Sequence, residues 1–351
     1  MRSASRCRRS RIWRWSGCEP VAGLPRFRWL TKRNLALVLL SLLLLGTGGL
    51  GWVYHRYGLH GLNVLWERGG SYWVTLERDS PRLSPAMRLA LQEDVPPAHA
   101  EPPDWQEVAP GFAVAEMPVR AGTILVDRLL LARIDPARFR LVVRNAPAGD
   151  HGSQDWLQAL GATLVVNGSY YDERGAADTP TVSDGRSLGP ATYVARHGAF
   201  VASAGTAGIV ELRDGNWREA LAGGSEGFVS YPLLLARDGT SPTQGDPHWL
   251  ANRSFVAEDR QGRILIGTTE DAFFSLPRLA AFLRSAPLDL AIALNLDGGP
   301  VACQAIAAGA YRRDFCGAWE THTRDGELRL LRWPFWWRRF NLPVVLAAVP
   351  R

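Results

Sequence analysis

From Leu35 to Tyr54 the chain runs through twenty residues without a charge, LALVLLSLLLLGTGGLGWVY. A helix rising ~1.5 Å per residue covers about 30 Å in that length, the thickness of a bilayer's hydrocarbon core. No polar face interrupts the run, which argues against a core helix of a soluble domain. Trp52 and Tyr54 lie at its far end, where amphipathic rings suit the headgroup layer. Ten basic residues and a single acid, Glu19, precede it within residues 1–33. The positive-inside rule therefore reads residues 1–33 as a basic cytoplasmic tail and 34–54 as a single-pass transmembrane anchor. Residues 35–54 meet the lipid, and the body lies across the membrane. A cleaved signal peptide is the alternative, but its apolar stretch is typically only ~7–15 residues and its basic region is shorter.

The chain has 351 residues, with 40 Lys+Arg against 34 Asp+Glu, but the tail holds the excess: the remaining 318 residues carry 30 basic and 33 acidic groups. A body with a slight acid excess lacks the electrostatic footprint of nucleic-acid binding, so no nucleic acid is expected as a partner. Lys32 is the only lysine beside 39 arginines, a bias that points through codon usage to a GC-rich bacterial genome. The membrane is then the bacterial inner (cytoplasmic) membrane, and the body is periplasmic or extracellular. A hydrophobic content of 46% excludes wholesale disorder, and four cysteines exclude a disulfide-built scaffold. Cys303 and Cys316 both fall in the exported part, where an oxidising compartment permits a disulfide between them.

Residues 55–108 read as a stalk, because Pro96, Pro97, Pro102 and Pro103 crowd one short run and favour an extended spacer. Residues 109–351 change texture to short apolar runs punctuated by Gly, Asp and Pro. Strands are predicted at Gly122–Leu131, Arg138–Val143, Ala162–Val166, Thr192–Val194, Ala199–Ala202, Gly208–Leu212, Phe228–Leu235, Ser254–Ala257, Ile264–Thr268, Leu290–Leu294 and Val344–Val349. Helices are fewer: Gln154–Leu160, Trp217–Ala222, and Leu276–Ser285 with Ser275 as its cap. The expected fold is one mixed α/β (α+β) domain, strand-rich with few helices, behind one transmembrane helix.

Three segments end an apolar run in small and polar residues: Leu164–Gly175, Thr179–Arg186 and Leu290–Pro300. Each presents Asn or Asp beside Gly, which leaves room for a ligand near the backbone. Asn-Gly and Asp-Gly are also common tight-turn dipeptides, so each segment alone reads equally as a turn. Residues Gly223–Gly227 match the G-x-S-x-G pattern and nominate Ser225 as a serine-hydrolase nucleophile. That elbow needs a strand before it and a helix after it, and here the order is reversed. The seven histidines and four cysteines show no zinc-site spacing. Acidic strand ends are compatible with a divalent cation, but no ligand loop asks for one, and no cofactor or metal is expected. His248, beside Trp249, is a candidate to line a cleft. The aromatic and basic run Arg332–Phe340 suits either a membrane face or an amphipathic edge.

Asn167-Gly168-Ser169-Tyr170-Tyr171, Ser183-Asp184-Gly185, Asn252-Arg253-Ser254 and Asn295-Leu296-Asp297-Gly298-Gly299 follow one another at intervals that resemble the phosphodiester glycosidases. These are the relatives of N-acetylglucosamine-1-phosphodiester α-N-acetylglucosaminidase, and the resemblance covers roughly residues 109–350. It implies hydrolysis of a sugar–phosphate diester at the anomeric carbon. On that reading Asp297 is the first candidate for the base or stabilising carboxylate and Asp184 the second, with Arg253 clamping the phosphate. Asn167 and Asn295 would fix sugar hydroxyls or water, with Gly168 and Tyr170 beside them. The backbone N–H groups of Gly298 and Gly299 would cradle phosphate oxygens. The expected partner is a glycosyl-phosphate or polysaccharide substrate in envelope or extracellular material. Two departures stand out. Ser169 replaces the family's second glycine, and Pro300-Val301 replaces its Gly-Ser, removing a hydroxyl and a backbone donor. They keep open a non-catalytic glycan-binding module of the same fold.

Overall fold

The computed structural model describes residues 32–57, 72–147, 151–172, 175–194, 197–212, 215–324, 326–332 and 341–351. The chain divides into two units, residues 1–52 and 53–351. In the first, the helix Lys32–Tyr57 contains one stretch long and apolar enough to cross a membrane, Asn34–Trp52. Its described side chains are exposed, leucines such as Leu42, Leu43 and Leu45 among them.

The second unit is built of antiparallel strands in four sheets. The largest, eight-stranded, has Phe112–Ala121, Ile124–Ile134, Ile264–Thr269, Ser254–Asp259 and Leu290–Asn295 side by side. Its central strands are apolar at nearly every position because both faces are covered. Phe255, Ala257 and Leu265 enter one core, under the helices Pro85–Ala90 and Leu276–Ser285. Val256, Ile264 and Ile266, pointing the other way by the period of two, enter a second core with Phe139, Leu164, Phe200 and Leu346. A five-stranded sheet closes that second core. Its strands are Phe139–Asn145, Val344–Pro350, Leu164–Asn167, Cys303–Ala308 and Tyr311–Cys316. Its outer face buries Val142, Val165 and Ala347 under Trp156 and Leu157 of the helix Ser153–Leu160. A second five-stranded sheet contributes Phe200 and Phe228. A four-stranded sheet joins Tyr72–Leu76, Glu327–Arg332, Glu320–Arg324 and Leu250–Ala251.

The strand-rich α+β expectation matches this architecture. The helix Leu276–Ser285 starts as expected, with Ser275 Oγ accepting from Arg278 N at 3.4 Å. Cys303 and Cys316 form a disulfide between paired strands. Two expectations fail. Thr192–Val194 forms no strand. The described part of the expected stalk is not a spacer. Tyr72–Leu76 pairs with Leu328–Arg332, and Ala98–His99 pairs with Arg120–Ala121. Pro85 opens a helix at a position where its missing N–H is not needed, capped by Ser84 Oγ, which accepts from Met87 N at 3.1 Å. Leu83, Met87 and Ala90 then enter the main core. Of the prolines that read as a rod, Pro96 and Pro97 lead directly into the strand Ala98–His99, and Pro102 and Pro103 lie in the irregular run between it and Gln106–Ala109. Residues 58–71 and the run 333–340 lie outside the described residues.

Candidate active site

Three sheets meet where the strands Leu164–Asn167 and Leu290–Asn295 end and where Glu320–Arg324 begins. Backbone hydrogen bonds lace the ends together. Asp297 N donates to Gly168 O at 3.1 Å, Leu296 N to Ser254 O at 2.9 Å, and Gly299 N to Asn252 O at 2.8 Å. Asn252 is the central tie. Its Nδ2 donates to Thr269 O, and its Oδ1 accepts from the N–H groups of Ala318 and Trp319 at 3.0 and 2.9 Å. Gly299 has φ +70, and a Cβ there would run into the Glu320 carboxylate. The turn therefore requires glycine at that position.

Asp297 is partly buried. Its Oδ1 accepts from Gly298 N at 2.8 Å, and no ion pair reaches it among the described residues. Burial pushes its carboxyl up to about 7; the Glu320 charge adds to this, while the Gly298 N–H and Arg253 oppose it. Glu320 is raised in the same direction, chiefly by burial, against the pull of Arg253 and of the Trp249 N–H, which donates to Oε1 at 2.7 Å. Arg253 is 6% exposed. Its Nε donates to Phe274 O at 3.2 Å and its Nη2 to Trp249 O at 2.8 Å. Its Nη1 faces Gly298, 3.3 Å from where a Cβ would stand, and among the described residues it has no hydrogen-bond acceptor. Burial lowers the guanidinium's pKa, and Glu320, Tyr170 and Asp297 hold it up. The cluster thus has one partly unspent cation beside two carboxyls that retain protons to higher pH than usual. Such a set can hold an anionic group and exchange a proton with it.

Tyr170 stacks on Tyr231, with ring centroids 4.3 Å apart. Its hydroxyl donates to Tyr231 O at 2.7 Å and accepts from Asn295 Nδ2 at 2.9 Å. Burial and the charge of Asp297 raise its phenol far above the ordinary value, so it stays neutral. Asn295 also donates to Tyr231 O at 3.1 Å, while its Oδ1 is buried without a partner among the described residues.

Asp297, Arg253, Asn167, Gly168, Tyr170, Asn295, Gly298 and Gly299 are therefore gathered, but several serve differently than expected. Asn167 is buried, its Nδ2 donating to Asp297 O at 2.7 Å and its Oδ1 accepting from Cys303 N at 3.2 Å. It positions Asp297 and has no amide atom left for a sugar. Gly168 is needed because a Cβ would meet Val344 Cγ1 at 2.7 Å. The N–H groups of Gly298 and Gly299 are spent on Asp297 Oδ1 and Asn252 O, so they make no phosphate cradle. Asp184 stands elsewhere. It occupies a turn at φ 48, with its Oδ1 accepting from Arg144 Nη2 at 2.9 Å. No hydrogen bond or ion pair among the described residues joins it to Asp297.

Ser225 lies between the helix Trp217–Ala222 and the strand Glu226–Ser230, the reverse of a nucleophile elbow. Among the described residues its hydroxyl has no histidine partner. Among the described residues no group of three His, Cys, Asp or Glu side chains gathers as a metal site. The two family departures are absorbed by the scaffold. Ser169 Oγ donates to Val229 O at 2.7 Å and bonds Thr179 Oγ1 at 2.9 Å. Pro300 sits near the start of the 3-10 turn Gly299–Val301, where a backbone donor is not required.

Sequence reasoning missed Glu320, Trp249 and Tyr231. Glu320 carries no local motif and enters through the pairing of Ala251 with Glu320 across the sheet.

Fold and site together define an antiparallel α+β domain with a carboxyl pair and a buried arginine at a sheet junction. Residues 160–318 match the phosphodiester glycosidase family, a segment that holds Asn167, Arg253 and Asp297. No curated protein matches the chain. Among solved structures, a hypothetical protein from Synechocystis is 14% identical with a TM-score of 0.47; the match covers 72% of this chain and 64% of that one. The zebrafish N-acetylglucosamine-1-phosphodiester alpha-N-acetylglucosaminidase catalytic domain, auto-inhibited by its pro-peptide, is 15% identical with a TM-score of 0.46, covering 80% of this chain and 88% of that one.

Proposed function

We propose that the chain is a bacterial, membrane-anchored glycosidase whose exported body hydrolyses a sugar-1-phosphodiester bond in envelope or extracellular polysaccharide. The observation that carries this reading is Asp297: a partly buried carboxyl raised to about 7, without an ion-pair partner among the described residues, near the unspent Nη1 of Arg253. The bond between the anomeric carbon and the phosphate oxygen breaks, its electron pair leaving with the phosphate monoester. Water adds to the anomeric carbon and gives up a proton. A phosphate monoester is a good leaving group, so charge neutralisation by Arg253 matters more than strong acid assistance. Asp297 receives the water proton or stabilises the oxocarbenium-like centre, and Glu320 is its partner carboxyl. Asn167, Asn252 and the Tyr170–Asn295 pair hold these groups in place. The apolar helix is the anchor, with residues 1–33 inside.

The test uses the full chain in detergent micelles and a panel of α- and β-pyranosyl phosphodiesters, following free sugar. Release by the wild type and its loss in Asp297→Asn is the expected result. A folded chain silent across the panel would instead make the protein a glycan-binding module.

A further inference from the structure

We propose that the open face of Trp249 is a stacking platform for a pyranose ring of the substrate. This deepens, and rests on, the glycosidase reading above. Trp249 directly precedes the strand Leu250–Ala251 and is 40% exposed, and its indole borders the partly buried carboxyl of Glu320. Its position is fixed from three sides. Nε1–H donates to Glu320 Oε1 at 2.7 Å. The His322 ring lies over the indole, centroids 4.8 Å apart and planes 32° from parallel. Trp73 meets it edge-on, at 6.2 Å and 88°, and packs against His322 at 4.3 Å.

His322 covers one face, Trp73 packs edge-on, and the N–H is spent on Glu320. These contacts leave the opposite face and the outer edge of the ring to carry the exposed area. A rigid apolar face held beside a carboxyl suits a pyranose, whose C–H bonds pack on the ring while its hydroxyls reach polar neighbours. Trp73 comes from Tyr72–Leu76, an edge strand held by pairing with Glu327–Arg332. That pairing supplies the back wall of the platform.

The full chain, labelled with 5-fluorotryptophan and held in micelles, gives one ¹⁹F resonance per tryptophan. Of 14 tryptophans, the one missing in Trp249→Phe is Trp249. Methyl pyranosides and pyranosyl 1-phosphates of glucose, galactose, mannose and N-acetylglucosamine are titrated in, both anomers of each. In parallel, Trp249→Ala and Trp249→Phe are assayed on the diesters that the wild type hydrolyses.

The expected result is a saturable shift of the Trp249 resonance with at least one sugar. With it, KM rises about 2- to 12-fold in Trp249→Ala and largely recovers in Trp249→Phe, which keeps a ring. Because both variants remove the donor to Glu320, a change in kcat or pH profile common to both reports that bond and not the platform. Equal KM in wild type and Trp249→Ala, or no shift with any sugar, overturns the proposal. Hydrolysis with an unmoved resonance sinks the platform and leaves the glycosidase standing. A shifted resonance without hydrolysis of any diester does the reverse.

Discussion

Asp184-Gly185 and Asp297-Gly298 are the same dipeptide, each set just after a strand of the same body. The Asp184 side chain is 68% exposed and neutralised by Arg144 at 2.9 Å, and that arginine also holds the buried Glu226 at 2.9 Å. Asp297 is partly buried, and among the described residues its carboxylate is bonded only by the N–H of Gly298 and has no ion pair. The first carboxylate is an electrostatic strut on a hairpin. The second is desolvated and unpaired, so it holds a proton near neutrality. The difference comes from what surrounds the dipeptide: two internally satisfied asparagines, Asn167 and Asn252, and a glycine turn closed against Glu320.

The comparison breaks most readily by activity. Asp297→Asn is expected to lower turnover of a sugar-1-phosphodiester by about 10²- to 10⁴-fold, the range for a general acid or base. Asp184→Asn removes only an exposed pair, worth about 0–1 kcal/mol of stability, and leaves turnover near wild type. Steady-state rates of the two variants, measured side by side, decide it. Equal losses would put Asp184 back in the reaction.

The glycines sharpen it next. Gly299 and Gly185 share the left-handed conformation, at φ +70 and +73, but a Cβ meets Glu320 at the first and nothing within 4 Å at the second. Gly185→Ala is expected to cost ~1–2 kcal/mol from backbone strain alone. Gly299→Ala adds overpacking, for a total of about 2–5 kcal/mol, and displaces Glu320. Denaturant unfolding of both variants measures the difference.

A further contrast is in the pH dependence of stability. The folded carboxyl of Asp297 binds its proton more tightly than the unfolded chain, about 7 against 3.8. Its stabilising contribution is full below 3.8 and is lost as pH rises through about 7. Asn imitates the protonated form, so Asp297→Asn should raise Tm relative to wild type more at pH 8 than at pH 5. Thermal unfolding at the two pH values is the check; an advantage greater at pH 5 would contradict the assigned direction.

Much of this was legible before the fold was known. The capped helix Leu276–Ser285, the strands that end at Asn167 and Asn295, and the Asp297-Gly298-Gly299 turn all carry local signals. Other parts depend on partners far along the chain. Phe112–Ala121 escaped because it is the first arm of a hairpin turning at Gly122, where the strand reading began. Tyr311–Cys316 and Glu320–Arg324 are too polar to read as strands, and they pair only because Cys303–Ala308 and Glu327–Arg332 lie beside them. Glu320 was invisible for the same reason: its place beside Trp249 and Gly299 is set by pairing across the sheet, not by a motif. Asn167 and the Gly298 and Gly299 amides read as ligand contacts because a sequence cannot display which donors the backbone has already consumed.

The most direct test is a carboxyl-¹³C titration of aspartate-labelled full chain in micelles. The resonance absent from Asp297→Asn identifies Asp297. It should titrate near pH 7. A midpoint in the ordinary aspartate range, about 3.5–4, would mean that burial does not hold a proton on Asp297, and the distinction on which the proposed chemistry stands would be gone.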